Sequence, residues 1–97
     1  MLRNKKIGVV VPAYNEEKLI GRVIETMPDF VDRVYIVDDC SLDGTGQRVS
    51  EYRRLSNLDG RLELIRHCQN RGVGGAIVTG YRRALEEDMD VIAVMAG

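Results

Sequence analysis

The chain has 97 residues, enough for one small domain or for part of a larger one. Its 14 Lys and Arg against 15 Asp and Glu give a net charge of -1, which argues against a partner held by its nucleic-acid backbone. With 44% hydrophobic and 30% charged residues it reads as globular rather than disordered, and no apolar run approaches the roughly 20 residues of a membrane span.

The start, MLRNKKIGVVV, is basic and then apolar, but the apolar stretch ends at Pro12, too early for a signal peptide. Two cysteines are too few for a secreted disulfide scaffold, so a reducing cytosol is the expected compartment.

Residues 7–11 (IGVVV) form a continuous β-branched run, the pattern of a strand covered on both faces in a parallel sheet. Leu19, Ile20, Val23, Ile24 and Met27 then recur at helical spacing, with Asn15 as the expected N-cap and Pro28 as a stop. Glu16 and Glu17 suit the positive end of that helix. A second strand is predicted at 34–37 (VYIV), ending in Asp38 and Asp39. A second helix follows from near Asp43 or Thr45 to Leu55, with Val49, Tyr52 and Leu55 as its stripe.

The third strand is predicted at 62–66 (LELIR). The third helix runs from about Val73 to Glu87, with Val73, Ile77, Tyr81, Ala84 and Leu85 on one face. Gly74, Gly75 and Gly80 each weaken that helix by about 1 kcal/mol relative to Ala, so close packing or a ligand near its start is expected. The fourth strand is 91–95 (VIAVM).

This β-α-β-α-β-α-β pattern predicts an α/β fold, an open, mostly parallel sheet with helices on both faces. The first strand is then central. The fourth is left as an apolar edge after which the chain stops at Gly97, as a domain truncated at its C-terminal end would. Self-association through the 91–95 edge is a second expectation.

In such sheets ligands bind beyond the carboxyl ends of the strands. That rim carries residues 12–16 after the first strand, 38–41 after the second, 67–75 after the third and Ala96-Gly97 after the fourth. Asp38 and Asp39 repel one another and need nearby donors. A carboxylate there can accept from a ribose or from the N–H of a base, while Asp38, Ser41 and Asp43 suit capping of the next turn and helix. Tyr14 can lay its ring on a base or pack on the sheet end, beside the backbone fixed by Pro12. Arg71 and the N–H groups of the Asn70–Gly75 stretch favour an anion, or simply form a tight turn. His67, Cys68 and Cys40 lack metal-ligand spacing and read as a plain polar histidine and inert thiols.

A nicotinamide-binding domain needs a glycine-rich turn after its first strand, and no glycine lies between Pro12 and Gly21. A phosphoacceptor receiver module carries its acidic pair after the first strand, whereas here the pair follows the second.

VVPAYNEE ending at Glu17, IVDDCSLDGT (36–45) and NRGVGGAIVTGYRRAL (70–85), in that order, resemble the N-terminal half of family 2 glycosyltransferases of the GT-A fold. Within that family the likeness is to polyprenyl-phosphate mannose and glucose synthases. The resemblance implies a Rossmann-like half-fold with strand order 3-2-1-4, a single nucleotide-sugar-binding unit over 1–97. It implies transfer of a sugar from a nucleotide-diphosphate donor to an acceptor such as a polyprenyl phosphate, in the cytoplasm or at the cytosolic membrane face. The alternative is a non-catalytic nucleotide-binding or receiver-like signalling module. Pro12, Ala13, Tyr14, Asn15 and Glu16 would line the nucleotide pocket. Asp39 would bond the base, Asp38 would support the loop, and Arg71 and Gly72 would close over the nucleotide. Val73 departs from the Lys often found there. Mg2+ or Mn2+ in such enzymes is held by an acidic motif directly after the fourth strand, which here means ligands expected after Gly97. Asp88-Met89-Asp90 spells such a motif, but it precedes that strand and so falls at the opposite sheet edge. Catalytic and metal residues are therefore expected outside these 97 residues, with nucleotide binding at most within them.

Overall fold

The computed structural model describes residues 3–55 and 60–95. The side chain of Leu55, named above as part of a helical stripe, and the rim residues Ala96 and Gly97 lie outside them. Four parallel strands, β1 (Ile7–Ala13), β2 (Arg33–Asp38), β3 (Leu62–Arg66) and β4 (Val91–Val94), form one sheet in the order β3-β2-β1-β4. The strands alternate with α1 (Ile20–Glu25), α2 (Thr45–Leu55) and α3 (Gly72–Glu86).

The β-branched run of β1 is buried because it is covered twice. Its odd positions Ile7, Val9 and Val11 pack with Val34, Ile36, Leu62, Val49 and the α1 residues Ile20 and Ile24. Val10 faces the other side with Tyr35, Val37, Ala76 and Ala84 of α3. The two-residue period of a strand thus splits one apolar run into two cores.

Two local expectations are corrected. Asn15 does not cap α1. Its backbone is left-handed, at φ 52°, and its Oδ1 accepts the N–H of Leu42. The helix starts only at Ile20, after a turn in which the Glu16 carbonyl accepts from Leu19 and Ile20. Nor does α3 bury the stripe of its largest residues. Ala76, Gly80 and Ala84 face the sheet, while Val73, Tyr81 and Leu85 stay exposed. The reason is distance. A Cβ on Gly80 would sit 2.4 Å from Val10 Cγ1, so only a smooth ridge lets the helix lie this close.

Candidate functional site

Register sets the rim. Ala13 pairs with Asp38, and Asp38 with Arg66, so the loops that leave β1, β2 and β3 start side by side. The first two are laced together by five hydrogen bonds. Asn15 N–H donates to Ser41 Oγ at 2.9 Å, and Glu16 N–H to Thr45 Oγ1 at 2.9 Å. Glu17 N–H donates to Asp43 Oδ2, Leu42 N–H to Asn15 Oδ1, and Gly44 N–H to Glu17 Oε1. Asp43 also accepts from the N–H and the hydroxyl of Thr45, which opens α2. Short polar side chains suit this work because they reach a neighbouring backbone without spanning a gap. The loop after β1 is therefore held in one shape.

The two adjacent carboxylates part company. Asp38 continues the β2 alternation of Val34 and Ile36 and turns toward the α2 side, fully buried. Its Oδ1 accepts the Ser41 N–H at 3.0 Å, and Arg66 Nε lies 3.2 Å from its Oδ2. Asp39 turns toward α3 and is 3% exposed. Its Oδ1 accepts from His67 Nδ1 and from the Arg71 N–H, and its Oδ2 from the Gly72 N–H, each at 2.8 Å. Burial pushes the Asp39 carboxyl up, but the Arg71, His67 and Gly72 hydrogen bonds outweigh it and hold the carboxyl below its ordinary range.

This corrects one expectation of the sequence. The anion at the start of α3 is the chain's own Asp39, which takes up the N–H groups of Arg71 and Gly72. Gly72, at φ 80°, supplies the turn that aims them.

Beside Asp39 opens a cleft of about 370 Å³. It is lined by Pro12, Tyr14 and Glu16 of the segment that ends β1 and by Asn70, Val73 and Ile77 of the segment that starts α3. Ala13, Asp39, Gly72, Ala76 and Val94 complete the lining. Tyr14 is 44% exposed, so its ring is available at the mouth. Of the expected site residues, Pro12, Ala13, Tyr14, Glu16, Asp39 and Gly72 line this cleft. Asn15, Asp38 and Arg71 are not in its lining. Asn15 and Asp38 hold the loops, and Arg71 contributes its backbone N–H.

His67, read from the sequence as a plain polar histidine, sits beside Asp39. It is 8% exposed and its Nε2 lies 2.7 Å from Thr79 Oγ1, so one ring joins β2, β3 and α3. The available signal was register. In a parallel pair the residue after Arg66 must lie beside the residue after Asp38. Cys40 and Cys68 are free thiols, with Cys40 Sγ 3.5 Å from the Cys68 carbonyl.

Among the described residues no group of three or more His, Cys, Asp and Glu could hold a metal ion. Asp90 accepts the Lys6 N–H at the opposite sheet edge, where the acidic triplet was expected. No helix among the described residues is long and apolar enough to cross a membrane.

The family model for glycosyl transferase family 2 matches residues 8–96. The UDP-N-acetylglucosamine–dolichyl-phosphate N-acetylglucosaminyltransferase of Methanococcus voltae is 36% identical over 100 residues, covering 93% of this chain and 40% of that enzyme. The undecaprenyl-phosphate mannosyltransferase of Micrococcus luteus is 33% identical over 98 residues, covering 93% of this chain and 37% of that enzyme. The chain thus spans about two-fifths of the length of such relatives. Among solved structures, the Pyrobaculum calidifontis mannosyltransferase PcManGT, in complex with GDP-Man and Mn2+, aligns with a TM-score of 0.75 at 30% identity, over 82% of this chain and 24% of that one. Staphylococcus aureus TarS in complex with UDP aligns with a TM-score of 0.72 at 28% identity, over 94% of this chain and 27% of that one. Because the family pattern runs unbroken from β1 through β4 on the sheet topology of these transferases, the chain belongs to glycosyl transferase family 2.

Proposed function

We propose that the chain is the nucleotide-binding part of an enzyme that transfers a sugar from a nucleotide-diphosphate donor, and that the acceptor is a polyprenyl phosphate. One observation carries this reading. Tyr14 and Asp39, far apart in sequence, line one cleft at the carboxyl rim of the sheet. A ring face that can stack on a base and a carboxylate that can accept a base N–H are what a nucleoside needs. Val73, Ile77 and Val94 add apolar surface to that cleft. The names of the M. voltae and M. luteus relatives support a lipid-phosphate acceptor.

Mn2+ accompanies the donor in PcManGT. Such an ion neutralises the leaving diphosphate. Among the described residues no group of three or more His, Cys, Asp and Glu could hold it.

A receiver-like module carries its acidic pair after the first strand, whereas Asp38 and Asp39 stand at the end of β2. Strand pairing at the 91–95 edge stays part of the proposal, since β4 is an outer strand with Val91 and Val94 half exposed; a mass that rises with concentration tests it.

The test of nucleotide binding is a titration of the chain with a nucleoside diphosphate, read by amide chemical shifts. The expected changes fall on Ala13 to Glu16 and on Asn70 to Ile77. Changes centred instead on Met27 and Tyr52, which line a hollow at the other end of the strands, overturn the assignment.

A further inference from the structure

An ionised carboxylate offers about four acceptor positions, two on each oxygen. In Asp39 three are filled by the protein. His67 Nδ1 and the Arg71 N–H use both positions of Oδ1, and the Gly72 N–H uses one of Oδ2. One remains, on a side chain that lines the cleft. His67 cannot give way easily. Its ring is gripped from the far side by Thr79 Oγ1, which lies 2.7 Å from Nε2. Arg71 and Gly72 hold Asp39 through backbone N–H groups, which no rotamer change removes.

The count bears on which base the cleft accepts. Uracil presents one ring N–H, at N3, flanked by two carbonyls. Guanine presents two adjacent donors, N1–H and the N2 amino group, and matches a carboxylate with both oxygens open. Adenine and cytosine present a bare ring nitrogen next to an amino group, and that lone pair faces the carboxylate unfavourably.

We propose that this cleft selects uracil over guanine, and that His67 is the specificity-determining residue because it fills the Asp39 position that the second guanine donor requires. The inference rests on the nucleotide-binding reading above. A guanine bound here leaves one donor without its carboxylate partner, so UDP is favoured by about tenfold.

The experiment is a calorimetric titration of the chain with UDP and, separately, with GDP. UDP tighter by that margin is the expected result. GDP equal to or tighter than UDP overturns the selection while leaving the nucleotide cleft standing, as it also does if Asp39 takes a ribose hydroxyl instead of a base. Failure of both nucleotides to bind overturns the reading beneath it and the selection with it. The wild-type ratio needs no variant, so the inference does not depend on any substitution folding. Two variants locate the cause. His67→Ala opens Oδ1 and is expected to narrow the UDP/GDP ratio. His67→Asn keeps an N–H close to the place of Nδ1 and is expected to restore it. A ratio unchanged in a folded His67→Ala removes His67 from the explanation.

Discussion

Asp39→Asn is the most informative perturbation of the rim, because it keeps the shape and removes the charge. The carboxylate accepts three hydrogen bonds of 2.8 Å at 3% exposure. An amide has one acceptor oxygen. In its best orientation that oxygen still serves His67 and Arg71, and the new NH2 group opposes the Gly72 N–H. One buried donor is then orphaned, at about 1–3 kcal/mol, and two charge-assisted bonds become neutral ones of about half the strength. The sum is a loss of about 2–4 kcal/mol, and a fall in Tm of roughly 10 °C or more for a domain of this size. Urea denaturation gives the first number and a thermal melt the second.

The acid limb supplies a second readout. Burial raises the Asp39 carboxyl, but the Arg71, His67 and Gly72 hydrogen bonds lower it further, so its folded value lies below its unfolded one. A carboxyl of that kind stabilises fully above the unfolded value, near ~3.9, and loses its contribution as pH falls through the folded value. Asp32, Asp43 and Glu87 are lowered as well and act in both proteins alike, so the difference between the two acid limbs isolates Asp39. Asp39→Asn is expected to show the shallower acid limb. A variant within about 0.5 kcal/mol of wild type, or one with the same acid slope, refutes the reasoning.

Three further substitutions probe other parts. Gly80→Ala gains about 1 kcal/mol of helix propensity but drives a Cβ to 2.4 Å from Val10 Cγ1, so a net loss of about 1–2 kcal/mol is expected in denaturant; combining it with Val10→Ala recovers part of the loss, and strict additivity speaks against the contact. Tyr14→Ala is expected to weaken UDP by about 1–3 kcal/mol in calorimetry, the worth of a base stacked on an aromatic ring, while the melting curve barely moves. Tyr35→Phe removes a 2.6 Å bond to Glu87 Oε1 from a fully buried ring and is expected to lose about 1–2 kcal/mol in urea, since Arg33 keeps Glu87 partly paired; an unchanged midpoint discards that bond as a contributor.

Element order, the parallel class and the end of the sheet where polar residues gather are legible in the sequence. Hydrophobic period and turn chemistry are local, and IGVVV before Pro12 or VYIV before Asp38 carries both within a few residues. Asn15 and Ser41 were legible as rim residues and Asp43 and Thr45 as the start of a helix, but their lacing of two loops was not, because each bond joins separate segments. Which carboxylate serves which purpose depends on contacts between distant segments. The strand period sends Asp38 and Asp39 to opposite faces, yet the donors waiting there come from β3 and α3. The tertiary structure also decided the buried face of α3. Propensity and size favour the Val73-Ile77-Tyr81 stripe, but the depth to which a helix can settle on a sheet is set by the smallest side chains it can offer, Ala76, Gly80 and Ala84. His67 had no sequence neighbour to explain it, and its role exists only where strand register and helix approach bring Asp39 and Thr79 to the two sides of one ring.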